Sequence, residues 1–195
     1  LYYRRLKGTP YKWLDLSALS RSLLPRCTVN RILYFTAHIS GSATDRDQAQ
    51  RQQTYLRALR TIPNLTIHRG LFTQQVKTRP LAHNPRRLVQ VLHWEEKGSD
   101  VNLASHLLLD ASRGDFEVAL VISNDSDLRT PIQIVRRTFN LRVGVAIPGT
   151  KRQIPRSSLA PADFYTRITD RKLAASQIPD VLTDSQGSIR KPPGW

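Results

Sequence analysis

One apolar run limits the folds open to this chain, because it reads as a strand buried on both faces. Residues 117–123 read Glu-Val-Ala-Leu-Val-Ile-Ser, a short segment that is nearly continuously apolar. Such a run is typical of a central strand in a parallel sheet. Helical patterns flank it at residues 100–112 and 128–139, the first of them closed by Gly114. The neighbourhood therefore predicts a helix–strand–helix unit.

The rest of the chain continues this alternation, which favours an α/β fold with a parallel sheet and helices on both faces. The other predicted elements are strands at residues 31–37, 65–72, 86–94 and 141–148 and a helix at residues 45–61. A polar, basic loop is predicted at residues 73–85. We expect residues 1–150 to form one domain and residues 151–195 to be a basic linker and extension packing on it. That extension is predicted to hold short helices near 161–164 and 171–176 and an extended tail at 189–195.

The charge balance predicts a nucleic-acid partner. The chain has 30 Lys and Arg against 15 Asp and Glu, a net charge of +15. Arginine pairs well with phosphate oxygens, and cations on phosphates release counterions. No apolar run reaches the roughly 20 residues that span a bilayer, so no membrane partner is expected. The single cysteine, Cys27, fits a reducing, cytoplasmic setting, and we interpret it as a packing residue.

Carboxylates recur where the predicted sheet would hold a ligand. Asp125 and Asp127 follow the apolar strand, and Asp100 begins the helix before it, where each of Asp100 and Asp127 also suits a helix cap. In a right-handed crossover the helix begins at the carboxyl end of the strands, so these residues share one edge. Clustered carboxylates repel unless a cation intervenes, and Mg²⁺ or Mn²⁺ prefers oxygen ligands. The pattern predicts a metal site facing a polyanion.

Two motifs carry a resemblance to a known family. They are Glu96-Lys97-Gly98-Ser99-Asp100-Val101-Asn102-Leu103-Ala104 and Ser123-Asn124-Asp125-Ser126-Asp127-Leu128 with Pro131. Together with residues 1–3, 7–16, 34–37 and 51–59, they make the chain resemble the NYN (LabA-like, DUF88) branch of the PIN-like nuclease superfamily over nearly its whole length. The resemblance implies a three-layer α/β/α PIN-like Rossmannoid sandwich with a mostly parallel central sheet, a Mg²⁺ or Mn²⁺ site and ribonuclease activity.

The resemblance also assigns roles. Asp100, Asp125 and Asp127 match the family's metal-binding acids, Glu96 is a plausible outer member with Glu95 as the alternative, and Lys97 is placed to contact a phosphate. The family opens with a strand ending in Asp-Gly-x-Asn, whose aspartate is a principal ligand, just before the residues that match Leu1-Tyr2-Tyr3. That strand is absent from this sequence, which also has no methionine. We expect this sequence to be a piece of a longer chain that includes the strand, and a protein without that aspartate is not expected to be an active ribonuclease.

Further basic residues are candidates for RNA contact. They are Arg4, Arg5, Lys7, Lys77, Arg79, Arg86, Arg87, Lys151 and Arg152, with Asn124 at the strand end. Those near the start alternate with aromatic residues, a pattern that suits single-stranded RNA, although Trp13 is better explained as core. The basic residues can equally be solvated charges. The five histidines show no metal spacing and are interpreted as structural, and the glycines form no dinucleotide fingerprint.

Two functions are consistent with these features. The first is a metal-dependent ribonuclease that hydrolyses RNA phosphodiesters at the carboxylates. The alternative is a catalytically weak RNA-binding or regulatory module that uses the same basic surface.

Overall fold

The protein is a mixed α/β chain, which confirms the predicted class. The computed structural model describes residues 1–37, 47–123, 125–148 and 161–195. Its α-helices are α1 (Leu16–Leu23), α2 (Gln48–Leu59), α3 (Ser99–Arg113), α4 (Arg129–Thr138) and α5 (Asp170–Ala174). Its strands are β1 (Ile32–Ala37), β2 (Leu65–Leu81), β3 (Asn84–Lys97), β4 (Val118–Ile122), β5 (Arg142–Ile147), β6 (Phe164–Arg167), β7 (Val181–Asp184) and β8 (Gly187–Arg190).

The first sheet has the order β1-β2-β3 and ends in a long hairpin. β1 pairs in parallel with the first part of β2, from Ile32 opposite Leu65 to Ala37 opposite Gly70. Beyond that point β2 pairs only with β3, antiparallel, from Leu71 opposite Lys97 to Leu81 opposite Asn84. The prediction of a loop at residues 73–85 is therefore wrong. The segment lacks the alternation of a strand with one buried face because the hairpin buries neither face.

The second sheet is parallel throughout, in the order β4-β5-β6. The apolar run predicted as a central strand forms β4, but this strand lies at the edge of its sheet within the described residues. β6 occupies a place where the sequence predicted a short helix near residues 161–164, so that prediction is wrong. Gly144 of β5 explains how β6 fits, because a Cβ there would lie 2.2 Å from the Phe164 ring.

A single continuous central sheet is not formed by the described residues, which pair as two separate sheets of three strands and one β7-β8 hairpin. The inner edges β1 and β4 nonetheless contribute to one apolar cluster, through Ile32 and Tyr34 on one side and Leu120 and Ile122 on the other. Helix α3 packs against β1, β2 and α4. The two sheets are thus joined by side-chain packing.

The buried residues form two groups. The larger lies around α1 and α2 and includes Trp13, Leu14 and Leu59, all fully buried, which confirms Trp13 as a core residue. The smaller lies between α3, α4 and the second sheet and includes Ile132 and Val143. Helices α2, α3 and α4 fall where periodicity predicted them, and Gly114 closes α3 with a left-handed φ of 69°. The first two residues predicted for α2, 45 and 46, lie outside the described residues.

The final described segment, residues 161–195, packs onto the larger core. Ile189 of β8 is 2% exposed, and the Trp195 ring lies 6.3 Å from that of Trp13. Arg57 of α2 makes a two-pronged ion pair with Asp184 of β7, at 2.5 and 2.8 Å. Residues 189–195 are therefore not a free extended tail, because β8 contacts α2 and the Trp195 ring packs against Trp13 and Tyr55.

The Arg57–Asp184 pair predicts a measurable acid sensitivity. Hydrogen bonds from Arg57 hold the pKa of Asp184 at about 2, below its ordinary value of 3.8. A carboxyl whose pKa is depressed by folding stabilises the protein above its unfolded pKa and loses that contribution as the pH falls through the folded one. We expect Asp184→Asn to lower the Tm at pH 6 and to have little effect at pH 2. A Tm difference that stays constant from pH 6 to pH 2 would contradict this assignment.

Cys27 is exposed, so its prediction as a packing residue is wrong. It follows α1 in a connection to β1 that lies on the surface. None of the helices in the described ranges is long and apolar enough to cross a membrane.

Candidate functional site

The hairpin delivers the chain to the start of α3 through a glycine turn. β3 ends at Lys97, Gly98 has a left-handed φ of 94°, and α3 begins at Ser99. Glycine adopts this backbone conformation without a Cβ clash, which permits the sharp reversal. The cap position belongs to Gly98 and has no side-chain hydrogen bond. Asp100 lies in the first turn of α3 and is not its cap, which corrects the sequence prediction.

The second carboxylate group lies just after β4. Asp125 accepts a hydrogen bond from the backbone N–H of Asp127 at 3.0 Å and so caps a 3₁₀ turn at Ser126–Leu128. Its own N–H donates to the Ser123 hydroxyl at 3.1 Å. The sequence assigned a cap to Asp127, but Asp125 has that role because the turn begins two residues earlier, at Ser126. Leu128, 2% exposed, anchors the turn in the core.

The element ends that carry these carboxylates lie near one another. Partial burial raises the pKa of Asp100, and the negative charges of Asp125, Glu96 and Asp127 raise it further. Helix α3 and the 3₁₀ turn approach with Cα atoms within 8 Å. The fold therefore brings Asp100, Asp125, Asp127 and Glu96 into one field of like charge. Such a group favours either a proton or a cation.

The hairpin register separates the two neighbouring glutamates. Successive residues of a strand point to opposite faces, so Glu95 and Glu96 diverge. Glu95 forms an ion pair with Lys77 at 3.0 Å, and this partner lowers its pKa. Glu96 instead accepts a hydrogen bond from the Ser99 hydroxyl and adds to the charge around Asp100. Glu96 is therefore the glutamate on the side of the carboxylate group. The sequence had left Glu95 open as the alternative.

The four carboxylates suit a hard divalent cation by donor type, because they offer only oxygen. No three His, Cys, Asp or Glu side chains among the described residues are already gathered closely enough to hold an ion. Binding of an ion by these residues would require side-chain adjustment. The carboxylate of Asp125 is held by the backbone N–H of Asp127.

The basic candidates divide into three groups. Arg5 is 8% exposed, and its guanidinium donates to the Ile168 carbonyl and to Asp170, so it holds the end of the chain to the core and is not presented to RNA. Lys97, at the hairpin base, is exposed and follows Glu96 in the chain. The side chain of Arg4 and residues Asn124, Lys151 and Arg152 lie outside what the structure describes.

The remaining basic candidates lie along the hairpin or at the start of the chain. Lys77 is engaged with Glu95, and Lys7 is exposed after the first turn. Arg79, Arg86 and Arg87 are exposed in the outer half of the hairpin. Arg79 pairs with Val89, eight residues before Lys97, which at about 3.4 Å per residue puts it roughly 27 Å from the carboxylates. These arginines do not flank the site directly.

Two histidines form a contact that the sequence did not suggest. His68 of β2 and His106 of α3 have ring centroids 4.2 Å apart, and Phe35 stacks on His68 at 5.0 Å. Burial lowers the pKa of His68, and His106 lowers it further. The pair packs α3 onto the first sheet, in line with a structural role. No sequence signal could reveal it, since the two residues are 38 positions apart.

The fold and the carboxylate group define a mixed α/β protein with an acidic site at strand and helix ends. No protein-family profile matches the chain. A relative, 6-hydroxy-3-succinoylpyridine 3-monooxygenase HspA of Pseudomonas putida (strain DSM 28022 / S16), is 31% identical over 224 residues, covering 100% of this chain and 72% of the relative. The chain belongs to the family of HspA. A solved protein of unknown function from Vibrio parahaemolyticus RIMD 2210633, VPA0982, aligns with 78% of this chain and 99% of its own at 11% identity and a TM-score of 0.31.

Proposed function

We propose that the chain is a Mg²⁺- or Mn²⁺-dependent ribonuclease whose site is the group Asp100, Asp125, Asp127 and Glu96. One observation carries the proposal: in a chain of net charge +15, α3 and the turn after β4 approach with Cα atoms within 8 Å, which brings acidic residues from three element ends together and raises the pKa of Asp100. A protein that binds a polyanion gains nothing from a local negative cluster unless a cation offsets it.

The residues have distinct roles in this proposal. Asp100, Asp125 and Asp127 would hold the ion, and Glu96, tied to the Ser99 hydroxyl, would orient its water shell. A bound Mg²⁺ or Mn²⁺ lowers the pKa of water and offsets charge on the phosphoryl oxygens. Lys97 contacts a neighbouring phosphate from the hairpin base. RNA extending along the hairpin would reach Arg79, Arg86 and Arg87, a distance of several nucleotides.

The NYN resemblance supports this reading and adds an architecture to the proposal. We infer that the sheets β1-β2-β3 and β4-β5-β6 are two halves of one PIN-like α/β/α sandwich. Within the described ranges, β1 and β4 are each paired on one side only, with β2 and β5, and their apolar residues share one cluster. The family strand that ends in Asp-Gly-x-Asn belongs between these edges, where it would add an aspartate to the site.

A cleavage assay tests the function. Labelled single-stranded RNA is incubated with Mn²⁺ and either the wild type or Asp125→Asn. Asparagine caps a turn as well as aspartate does, so the variant keeps the fold and loses only the charge. We expect cleavage to slow at least tenfold. Glu95→Gln, a charge loss of the same kind on the opposite face of the hairpin, is expected to cleave like the wild type.

The outcomes separate the two readings of the site. Equal cleavage by the wild type and Asp125→Asn would rule the carboxylate site out. Absence of cleavage by both, with RNA binding retained, would favour the RNA-binding or regulatory module.

A second candidate rests on the relative. HspA is named a 6-hydroxy-3-succinoylpyridine 3-monooxygenase, and its similarity spans the whole chain. Hydroxylation of a related hydroxypyridine is therefore the competing function. An all-carboxylate group matches Mg²⁺ or Mn²⁺ better than the His-rich sites of oxygen-activating iron, which favours the nuclease. The test is to incubate the protein with 6-hydroxy-3-succinoylpyridine, oxygen and a reduced nicotinamide as reductant. A hydroxylated product without RNA cleavage would establish the competing function.

A further inference from the structure

The β2–β3 hairpin has one face that is unusually apolar for an exposed surface. The register places ten residues on this apolar face: Phe72, Gln74, Val76, Thr78 and Pro80 of β2 with Leu88, Gln90, Leu92, Trp94 and Glu96 of β3. Val76, Leu88 and Leu92 are 62–64% exposed, and Trp94 is 46% exposed. The Phe72 and Trp94 rings lie 6.5 Å apart, as expected for side chains on the same face.

The opposite face of the same hairpin differs in kind. This charged face carries Lys77, Arg79, His93, Glu95 and Lys97 among its ten residues. Its Lys77–Glu95 ion pair covers part of the ribbon. The apolar face has no cation, although Lys and Arg make up 30 of the chain's 195 residues. In a hairpin that only projects into solvent, the apolar residues would be expected on the less exposed face and the charged residues on the more exposed face.

A two-stranded hairpin is marginally stable in water unless a face of it packs against something. The described residues leave the apolar face uncovered over four large side chains. Together these expose on the order of 400 Å² of apolar surface, the size at which a patch on a soluble protein marks an interaction site. The apolar face is therefore best explained as an interface.

We propose that the apolar face is a dimer interface, on which a second copy of this chain packs its own apolar face. The chemistry of the face excludes RNA as its occupant, because it offers no cation to a phosphate. It also excludes an acidic partner for the same reason. A second copy meets both conditions, since the apolar side chains in the middle of two such faces meet without burying a charge, and Glu96, the one acidic residue of the face, lies at its base.

The geometry of the ribbon fits a two-fold assembly. The Val76–Leu92 pair lies near the middle of the apolar face, with Trp94 toward the base and Leu88 toward the tip. Two such ribbons stacked face to face at about 10 Å form a small sandwich, with the Val76–Leu92 pairs meeting at the axis. Two faces of this size with their neutral neighbours bury on the order of 1,000 Å², enough for a specific interface.

Dimerisation leaves the charged face of each copy open, and the central Val76–Leu92 pair lies four residues along the hairpin from Glu96 at its base. Because each copy carries a charge of +15, long-range repulsion opposes association. Salt screens this repulsion while apolar contact persists. The dimer should therefore tighten as ionic strength rises, which is opposite to the salt dependence of RNA binding.

Sedimentation velocity on the full chain, between about 1 and 100 µM, tests the proposal with a matched pair. Val76→Asp places a charge on the apolar face, and Val91→Asp makes the same change on the charged face, directly opposite Lys77. We expect the wild type and Val91→Asp to be dimers in 0.5 M salt and Val76→Asp to be monomeric, with a Kd raised at least 100-fold. Circular dichroism checks that each variant is folded.

The opposite results would overturn the dimer. The proposal fails if the wild type sediments as a monomer at the highest concentration and salt, or if Val76→Asp is still a dimer. A monomeric wild type whose RNA affinity falls in Val76→Asp would assign the face to RNA instead. If Val76→Asp fails to fold, mild oxidation decides in a Cys27→Ser background: Leu92→Cys should give a disulfide-linked dimer and Val91→Cys should not.

Discussion

Asp100→Ala is expected to abolish metal-dependent RNA cleavage, with a loss of at least 100-fold, and to remove stabilisation by Mn²⁺. Asp100 interacts electrostatically with all three other carboxylates, so its removal takes away the ligand that links them. Alanine supplies no oxygen, whereas Asp125→Asn keeps one, which is why the larger effect is expected here. Thermal unfolding with and without Mn²⁺ measures binding separately from activity, because a ligand that binds only the folded state raises the Tm.

In the absence of metal, removing the charge of Asp100 should raise the Tm of the protein. Folding raises the pKa of Asp100, so its ionised form destabilises the folded protein at neutral pH. This destabilisation disappears as the pH falls and the carboxyl group is protonated. Asp100→Asn should therefore raise the Tm slightly at pH 7 and lose this advantage at pH 3. A variant with lower Tm at pH 7 and an unchanged Mn²⁺ response would contradict the proposed site.

Trp13→Ala is expected to cost about 3–5 kcal/mol of unfolding free energy, the range for removing a buried large aromatic side chain. Trp13 is fully buried, and its indole N–H donates to the Pro179 carbonyl at 3.0 Å. Its ring packs against Tyr55 and Trp195 at 5.9 and 6.3 Å. A typical domain is stable by only 5–15 kcal/mol, so this change should leave the protein close to unfolding.

Urea denaturation at one fixed protein concentration measures the loss. Trp13→Phe is the graded control, because phenylalanine refills part of the space but leaves the Pro179 carbonyl without its donor. We expect it to cost roughly 1–3 kcal/mol. A loss below 1 kcal/mol for Trp13→Ala would show that residues 161–195 do not close the core as the structure indicates.

The elements that periodicity predicted are those with one clearly buried side. Helices α3 and α4 and strands β4 and β5 all match their predicted positions within a few residues. Each packs one apolar side or both against a core, and this burial requires apolar residues at regular intervals in the sequence. Strands at residues 65–72 and 86–94 were also predicted and lie within β2 and β3, but the outer part of β2 was predicted as a loop, because a ribbon exposed on both faces needs no such pattern.

The carboxylate group could be predicted in outline from the order of the elements. A right-handed crossover was sufficient to expect Asp100 near Asp125. The choice between Glu95 and Glu96 needed the hairpin register, and the cap at Asp125 needed the exact start of the 3₁₀ turn. The burial of Arg5 depends on Ile168 and Asp170, more than 160 residues away, and no local pattern encodes such a partner.

The bond from the Asp127 N–H to Asp125 has a consequence for ion affinity. One oxygen of Asp125 is used to hold its own turn, which restricts rotation of the carboxylate before any ion arrives. A ligand that is preorganised in this way gives up little rotational freedom on binding, so less of the binding energy is lost to ordering. The same turn that continues β4 into α4 thus provides a ligand whose orientation is already restricted.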